Sequence, residues 1–123
     1  MGGLVVRPAT AADIDAFSDM PNKPTCRAMA GEIDGRIVAL GGLALIAGRW
    51  HAFCDLMPEV RNHKIAIART AQRLIAEARR DGVRFIYAEA DPNEPGAIAW
   101  MTRLGFHLDP RSQHLFRWSS EWN

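Results

Sequence analysis

A chain of 123 residues, 48% hydrophobic and 24% charged, has the length and composition of one globular domain with its own core. A formal net charge of +1 leaves no overall field to draw nucleic acid or an anionic membrane, and no apolar run approaches the ~20 residues that span a bilayer. The opening MGGLVVRPAT lacks the charged start and long apolar run of a secretory leader, so a cytoplasmic protein is expected, with Cys26 and Cys54 as reduced core thiols. The histidines are scattered without zinc-ligand spacing, and no metal is expected.

Leu4 to Arg7 reads as a short strand stopped by Pro8. Thr10 then caps a helix with Asp13 in its first turn, where a negative charge is favoured, and Ile14, Phe17 and Met20 mark its apolar side. Pro21 and Pro24 end it. Arg27 to Ile33 and Ile37 to Ile46 are strands joined by Asp34-Gly35, the strongest hairpin signal in the chain. The second strand is almost wholly apolar and is expected at the centre of a sheet, covered on both faces. Ala47-Gly48-Arg49 turns the chain into a third strand, His51 to Met57, stopped by Pro58. From Lys64 to Arg80 the period becomes helical: Ile67, Ala71, Leu74, Ile75 and Ala78 form one stripe, with Arg69, Arg73, Glu77 and Arg80 largely off it. Asp81-Gly82 stops that helix. Val83 to Ala90 is a strand, Pro95 to Leu104 a short helix stopped by Gly105, and Phe106 to Leu108 and His114 to Trp118 are two last strands around Pro110. The order β-α-β-β-β-α-β-α-β-β places hairpins before a βαβ crossover. It predicts a single α/β (α+β) domain over the whole chain, a mixed sheet of about six or seven strands flanked by about three helices.

The segment from Leu56 to Ala66 carries the chemistry. A strand ends at Pro58, a short basic stretch follows, and a long helix begins with no obvious capping side chain. Such a helix start presents backbone N–H groups and the positive end of the helix dipole, an arrangement that holds phosphate. Arg61, His63 and Lys64 add positive charge. The same features also describe a solvated basic turn entering an ordinary surface helix.

Nearly end to end, the chain resembles the GCN5-related N-acetyltransferase (GNAT) superfamily, and it looks most like the small GNAT proteins of phages and their bacterial hosts. VVRPATAADIDAF resembles the family's first strand and helix, and GEIDGRIVALGGL resembles its hairpin. DLMPEVRNHKIA lies over the coenzyme-A signature, a strand ending V-x-P and then Arg/Gln-x-x-Gly-x-Gly/Ala. AIAWMTRLGF resembles the late helix and turn, A-x-x-x-Tyr-x-x-x-GF. The resemblance implies the acyl-CoA N-acyltransferase fold, acetyl-CoA as co-substrate, and an N-acetyltransferase acting on an amine of a small molecule or protein. It implies that the backbone amides of Arg61, Asn62, His63, Lys64, Ile65 and Ala66 hold the pyrophosphate. It also implies that the strand before them, Cys54 to Met57 and mainly Leu56, pairs with the pantetheine arm. Asn93 is near the family's cofactor-touching asparagine, although counting back from Gly105 puts Glu94 in that column. Two departures make the signature degenerate. Lys64 stands where the first signature glycine belongs, and Met101 stands where the family carries a tyrosine general acid. Methionine has no proton to give. A second reading is therefore a GNAT-fold module that binds coenzyme A or a protein partner without acetyl transfer.

Acetyl transfer needs a neutral amine, a donor for the tetrahedral oxyanion, and in many cases a proton for the leaving thiolate. Glu32, His51, Asp55 and Glu89 are candidate bases, and Tyr87 is a candidate replacement acid. Glu89, near the end of the strand that lines the family's cleft, is favoured, and an acidic cleft suits a cationic amine. His51 carries the side chain best suited to proton transfer near neutral pH but sits beside a turn. The acceptor pocket is expected from the segments Asp19–Arg27 and Ala47–His51. His107 and His114 are expected at the surface, Trp100 in the core, Trp118 packed on the sheet, and Trp122 exposed as a candidate homodimer contact. No recognition motif accompanies the basic cluster between Arg61 and Arg84, so neither nucleic acid nor membrane is expected as a partner.

Overall fold

Asp34 and Gly35 both take positive φ, 52° and 79°, and turn β2 (Thr25–Ile33) straight back into β3 (Arg36–Ile46). This two-residue turn has the twist that paired strands require. Ala47 and Gly48, at 51° and 77°, repeat it between β3 and β4 (Arg49–Leu56). The computed structural model describes residues 3–17, 25–91, 93, 96–112 and 114–122, without the side chains of Phe17 and Arg61. The sequence expectations on Met20, Pro21, Pro24, Glu94, Pro95 and most of the segment Asp19–Arg27 lie outside the described residues.

β1 (Val5–Pro8) and α1 (Ala11–Phe17) precede these hairpins. A 3₁₀ turn (Pro58–His63), α2 (Lys64–Arg80), β5 (Phe85–Glu89), α3 (Ala97–Arg103), β6 (His107–Leu108) and β7 (Leu115–Ser119) follow. The seven strands form one sheet in the order β1-β2-β3-β4-β5-β7-β6. The β4–β5 pair is parallel and the rest are antiparallel, so the sheet is mixed as expected. β3 is an interior strand, third of the seven, with Val38, Ala39, Leu40, Leu43 and Ala44 buried along both of its faces.

Local chemistry explains the helix ends. The Thr10 hydroxyl accepts from the Asp13 N–H at 3.2 Å, and the Asp13 carboxylate accepts from the Thr10 N–H at 2.8 Å, a reciprocal cap. Asp13 also takes the Arg7 guanidinium at 2.6 Å, and that hydrogen bond above all holds its carboxyl well below the usual range. α3 ends where Gly105, at φ 96°, lets the Phe106 N–H reach back to the Met101 carbonyl at 3.0 Å.

Two apolar clusters divide the work of packing. The first joins Leu43, Ala78, Ile86, Ala88, Phe106, Phe116 and Trp118, with Met101 and Leu104 against it, and it seats α2 and α3 on one face of β4, β5 and β7. Trp118 packs on the sheet as expected, 1% exposed. The second joins Val38, Ala39 and Val60 with Ile33, Met57 and Ile67. Val60, fully buried, pins the 3₁₀ turn to β3. No helix among the described residues is long and apolar enough to cross a membrane.

Two expectations are corrected. The basic stretch after Pro58 is not an open loop but a 3₁₀ turn, because Val60 gains a buried site only if the chain coils there. The cysteines are free but are not core thiols: Cys26 is half-buried and Cys54 exposed. Cys54 lies on β4 beyond the rung at which β5 stops pairing with it, so the sheet no longer covers it.

Candidate active site

β4 and β5 pair at Trp50↔Ile86 and His51↔Tyr87, and there their ladder ends. β4 stays with β3 as far as Ala39↔Leu56, while β5 stays with β7 as far as Glu89↔Leu115. The two apolar clusters explain the parting. The end of β4 runs into Met57 and Val60, held by the second cluster, whereas Ile86, Ala88 and Ala90 are held by the first.

The parting leaves backbone groups without a strand to bind. A two-residue turn makes Ile46 and Arg49 a hydrogen-bonded pair, and such pairs alternate along an antiparallel ladder. The alternation reaches Met57, whose N–H donates to the Val38 carbonyl at 2.9 Å. His51, Phe53 and Asp55 therefore turn their backbone groups to β3, and Ala52, Cys54 and Leu56 turn theirs toward the gap. The gap opens into a cavity of ≈ 740 Å³. Cys54, Asp55, Leu56, Met57 and Lys64 line one side of it, and Ala88, Glu89 and Asp91 the other. Trp100 and Met101 of α3 also face it.

Neither the 3₁₀ turn nor α2 has a side-chain cap, and no acidic residue occupies the first turn of α2. The positive end of its dipole is therefore unopposed by its own side chains, and Lys64 adds a cation at the cavity wall. Arg36 is paired with Glu59 across the turn. Burial, and then the nearby Asp55 charge, pushes the Cys54 thiol up to about 11. Its sulfur lies over Gly41, where a Cβ would stand 3.6 Å from it, so the thiol is packed although the residue opens to the cleft. Burial also raises the Asp55 carboxyl.

Of the residues singled out in the sequence, Asp55, Leu56, Met57, Lys64, Glu89 and Met101 line the cavity together. The Arg61 backbone belongs to the end of the 3₁₀ turn, where Asn62 and His63, with Ile65 and Ala66 in the first turn of α2, stand beside the cavity rather than in its wall. Ile65 is 71% exposed. The Asn93 N–H donates to Asp91 Oδ1 at 2.9 Å, and Asn93 does not line the cavity. His51 and Tyr87 meet at the last rung, their ring centres 5.8 Å apart, on the sheet face away from α2. Glu32 is bound to Arg7 at 3.3 Å, away from the gap. Sequence reasoning missed Asp91 and Trp100 as cavity residues. Trp100 reads as core from its apolar column, and it takes the third dimension to show that α3 roofs a gap.

The acetyltransferase (GNAT) family model matches residues 6–106. The chain belongs to that family. No curated protein sequence matches it. Among solved structures, this GNAT chain is similar to the ribosomal-protein-S18-alanine N-acetyltransferase from Escherichia coli, with TM-score 0.69 and 14% identity over 95% of this chain and 94% of that one. It is also similar to YncA from Salmonella typhimurium, solved with its cofactor acetyl-CoA, with TM-score 0.67 and 15% identity over 94% and 93%. A GNAT family acetyltransferase from Elizabethkingia anophelis, with acetyl-CoA bound, gives TM-score 0.64 and 10% identity over 94% and 97%. Identities this low establish a shared fold, the GNAT acyltransferase fold, spanning nearly the whole of each chain.

Proposed function

We propose that this GNAT protein is an N-acetyltransferase that moves an acetyl group from acetyl-CoA to an amine of a small molecule or protein. The observation that carries the reading is the parting of β4 from β5 after His51↔Tyr87, which turns the backbone of Cys54 and Leu56 toward an open cavity. A cavity of ≈ 740 Å³ has the size of a small-molecule site. Its extended, unpaired strand edge suits a pantetheine arm. When bound, acetyl-CoA supplies the thioester that is attacked and the thiolate that leaves.

The Leu56 and Cys54 backbone groups pair with the arm, and an N–H of that edge steadies the oxyanion as the amine adds to the carbonyl. The uncapped start of α2, with the backbone of Arg61 to Ala66, receives the pyrophosphate. Lys64 replaces with charge what a glycine would offer by close backbone approach. Glu89 takes the proton that the amine loses as the N–C bond forms and the C–S bond breaks. His51 and Tyr87 stand at the apex of the gap, away from the cavity wall, and hold the acceptor side. Met101 gives no proton, so the sulfur departs as thiolate, which is tolerable for a thiol of ordinary pKa near ~8.5. Trp122, 44% exposed, is the candidate homodimer contact.

Calorimetry with acetyl-CoA, followed by a turnover assay on an amine panel, tests the reading. No heat and no melting shift at saturating acetyl-CoA would sink it. Tight binding without turnover on any amine would favour the non-catalytic module, to which Met101 and Lys64 also point.

A further inference from the structure

On the sheet face opposite α2 and α3, cross-strand neighbours form one row that the chemistry above does not fully use. His51 pairs with Tyr87, Tyr87 with Arg117, and Arg117 with His107. Their strand neighbours Ile86, Phe116 and Trp118 are buried against the helices, so alternation turns the row to the other face. Two guanidinium groups lie on rings there. Arg49 Cζ is 5.2 Å from the Tyr87 ring centre, and Arg117 Cζ is 5.4 Å from that of Phe85 and 5.0 Å from that of Trp122. Trp122 is itself held edge-on by His107, with centres 4.8 Å apart.

Arg7, Arg27, Arg36 and Arg111 each have a carboxylate partner. Arg49 and Arg117 form no salt bridge among the described residues; the carboxylate whose charge Arg117 feels, Asp109, is already bound to Arg111. A guanidinium laid on a ring keeps its in-plane N–H donors free, in the fork that fits a carboxylate or phosphate. The row starts at the rung where β4 and β5 part. Glu89 follows Tyr87 by two residues on the same face, a step of about 7 Å along a strand.

We propose that the acceptor is a small anionic amine, whose carboxylate or phosphate docks on Arg49 and Arg117 while its amino group reaches Glu89, two residues along β5 from Tyr87. This rests on the acetyl-transfer reading and gives it an acceptor class. Opposite charges at the two ends of the site orient the molecule. Glu89 meets the amine, and the two arginines meet the anion. A nucleic-acid strand would need a longer run of cations than these two, and the chain's net charge is only +1.

The test compares acceptors that differ only in the anion. 6-Aminohexanoate is set against 6-aminohexanamide, and 3-aminopropyl phosphate against 3-aminopropanol, at saturating acetyl-CoA. The anionic member of at least one pair is expected to be favoured about tenfold in kcat/KM, chiefly through KM. Arg49→Gln and Arg117→Gln cut that ratio severalfold, and Arg117→Lys cuts it less. Arg49 is exposed, so its variant does not depend on packing. Equal kcat/KM within both pairs, or a preference that both glutamine variants leave intact, overturns the proposal. Independently of turnover, 6-aminohexanoate is expected to shift the Arg49 and Arg117 side-chain N–H resonances of isotope-labelled protein, and 6-aminohexanamide is not. Loss of that effect overturns the acceptor site even where acetyl-CoA binds. Its presence without acetyl-CoA binding overturns only the acetyl-transfer reading. Tighter binding of a short single-stranded RNA than of aminohexanoate at the same row also overturns the proposal.

Discussion

His51 and Tyr87 form the last rung between β4 and β5, with ring centres 5.8 Å apart, and the two strands separate beyond them. The rung marks the apex of the cleft. On the α2 side lie Cys54, Leu56 and Lys64, and on the opposite face lie Glu89 and the arginine row. On the acetyl-transfer reading, a thioester held at the apex would be reached by an amine from the other side of the sheet, and the two substrates would not need to pass one another.

Glu89 lines the cavity and, by strand alternation, lies on the same face of β5 as Tyr87. Glu89→Gln keeps its shape and removes the proton acceptor. The expected result is a fall in kcat of about a hundredfold, with acetyl-CoA affinity held within about twofold. Steady-state kinetics beside calorimetry separates the two. Full kcat in Glu89→Gln, with loss in Asp55→Asn, would move the base to β4.

Lys64 carries the cation at the cavity wall, next to an uncapped helix start. Lys64→Glu is expected to weaken acetyl-CoA binding by about tenfold or more, and Lys64→Ala by less. Added salt should weaken the wild type more steeply than Lys64→Ala, because screening acts on a charge the variant lacks. Unchanged affinity in Lys64→Glu would show that the ammonium points away from the phosphates.

Much of the fold was legible because its signals are local. Asp34-Gly35 announces a hairpin, the apolar run from Ile37 to Ile46 announces a central strand, and the stripe from Ile67 to Ala78 places α2 at Lys64–Arg80. The site was legible in part. Lys64 at the cavity wall follows from the strand–helix junction, while Leu56, Met57 and Glu89, which also line the cavity, follow from the family resemblance. What stayed hidden depends on distant pairing. The coil at Val60 exists because Val38 buries it, and His51 meets Tyr87 only through a parallel pairing. The stacking of Arg49 and Arg117 likewise needs strands that the sequence does not set side by side.

Met101 faces the cavity and packs against the first cluster, with its carbonyl fixed by the Phe106 N–H. Met101→Tyr would bring a hydroxyl to the cleft wall. An increase in kcat of roughly threefold to tenfold is expected if thiolate departure limits the rate, at a cost of about 1 kcal/mol in stability from the added bulk. Rapid-quench kinetics of coenzyme-A release, beside thermal melts, checks both parts. An unchanged release rate in a folded variant would show that another step limits turnover.

Gly42, paired with Ala28 between β2 and β3, has no room for a side chain. A Cβ there would lie 2.0 Å from the Arg27 carbonyl oxygen and 2.7 Å from Ala28 Cα, both backbone atoms that no rotamer change can move. Gly42→Ala must push apart two interior strands of the sheet. A loss of about 3 kcal/mol is expected, which for a chain of this size lowers Tm by about 10 °C. Gly35→Ala, whose Cβ meets nothing within 4 Å, is limited to the strain of positive φ and should lose less. Equal losses in the two variants would contradict the close approach.

Cys54 reports directly on the cleft. Its thiol is pushed up to about 11, by burial first and by Asp55 second. Only about one molecule in a thousand then carries the thiolate at pH 8, against roughly a quarter for an ordinary thiol of pKa ~8.5. Alkylation of Cys54 by iodoacetamide at pH 8 should run about a hundredfold slower than that of an unhindered thiol and speed up toward pH 11. Asp55→Asn removes the second cause and should bring part of that rate back at pH 8. Because Cys54 lies on the edge assigned to the pantetheine arm, saturating acetyl-CoA should suppress the alkylation that remains. Mass spectrometry of the labelled peptide, with Cys26 as internal comparison, reads both effects. Rapid labelling at pH 8 would contradict the packing of the sulfur over Gly41. Labelling unaffected by bound acetyl-CoA would place the cofactor elsewhere than between β4 and β5.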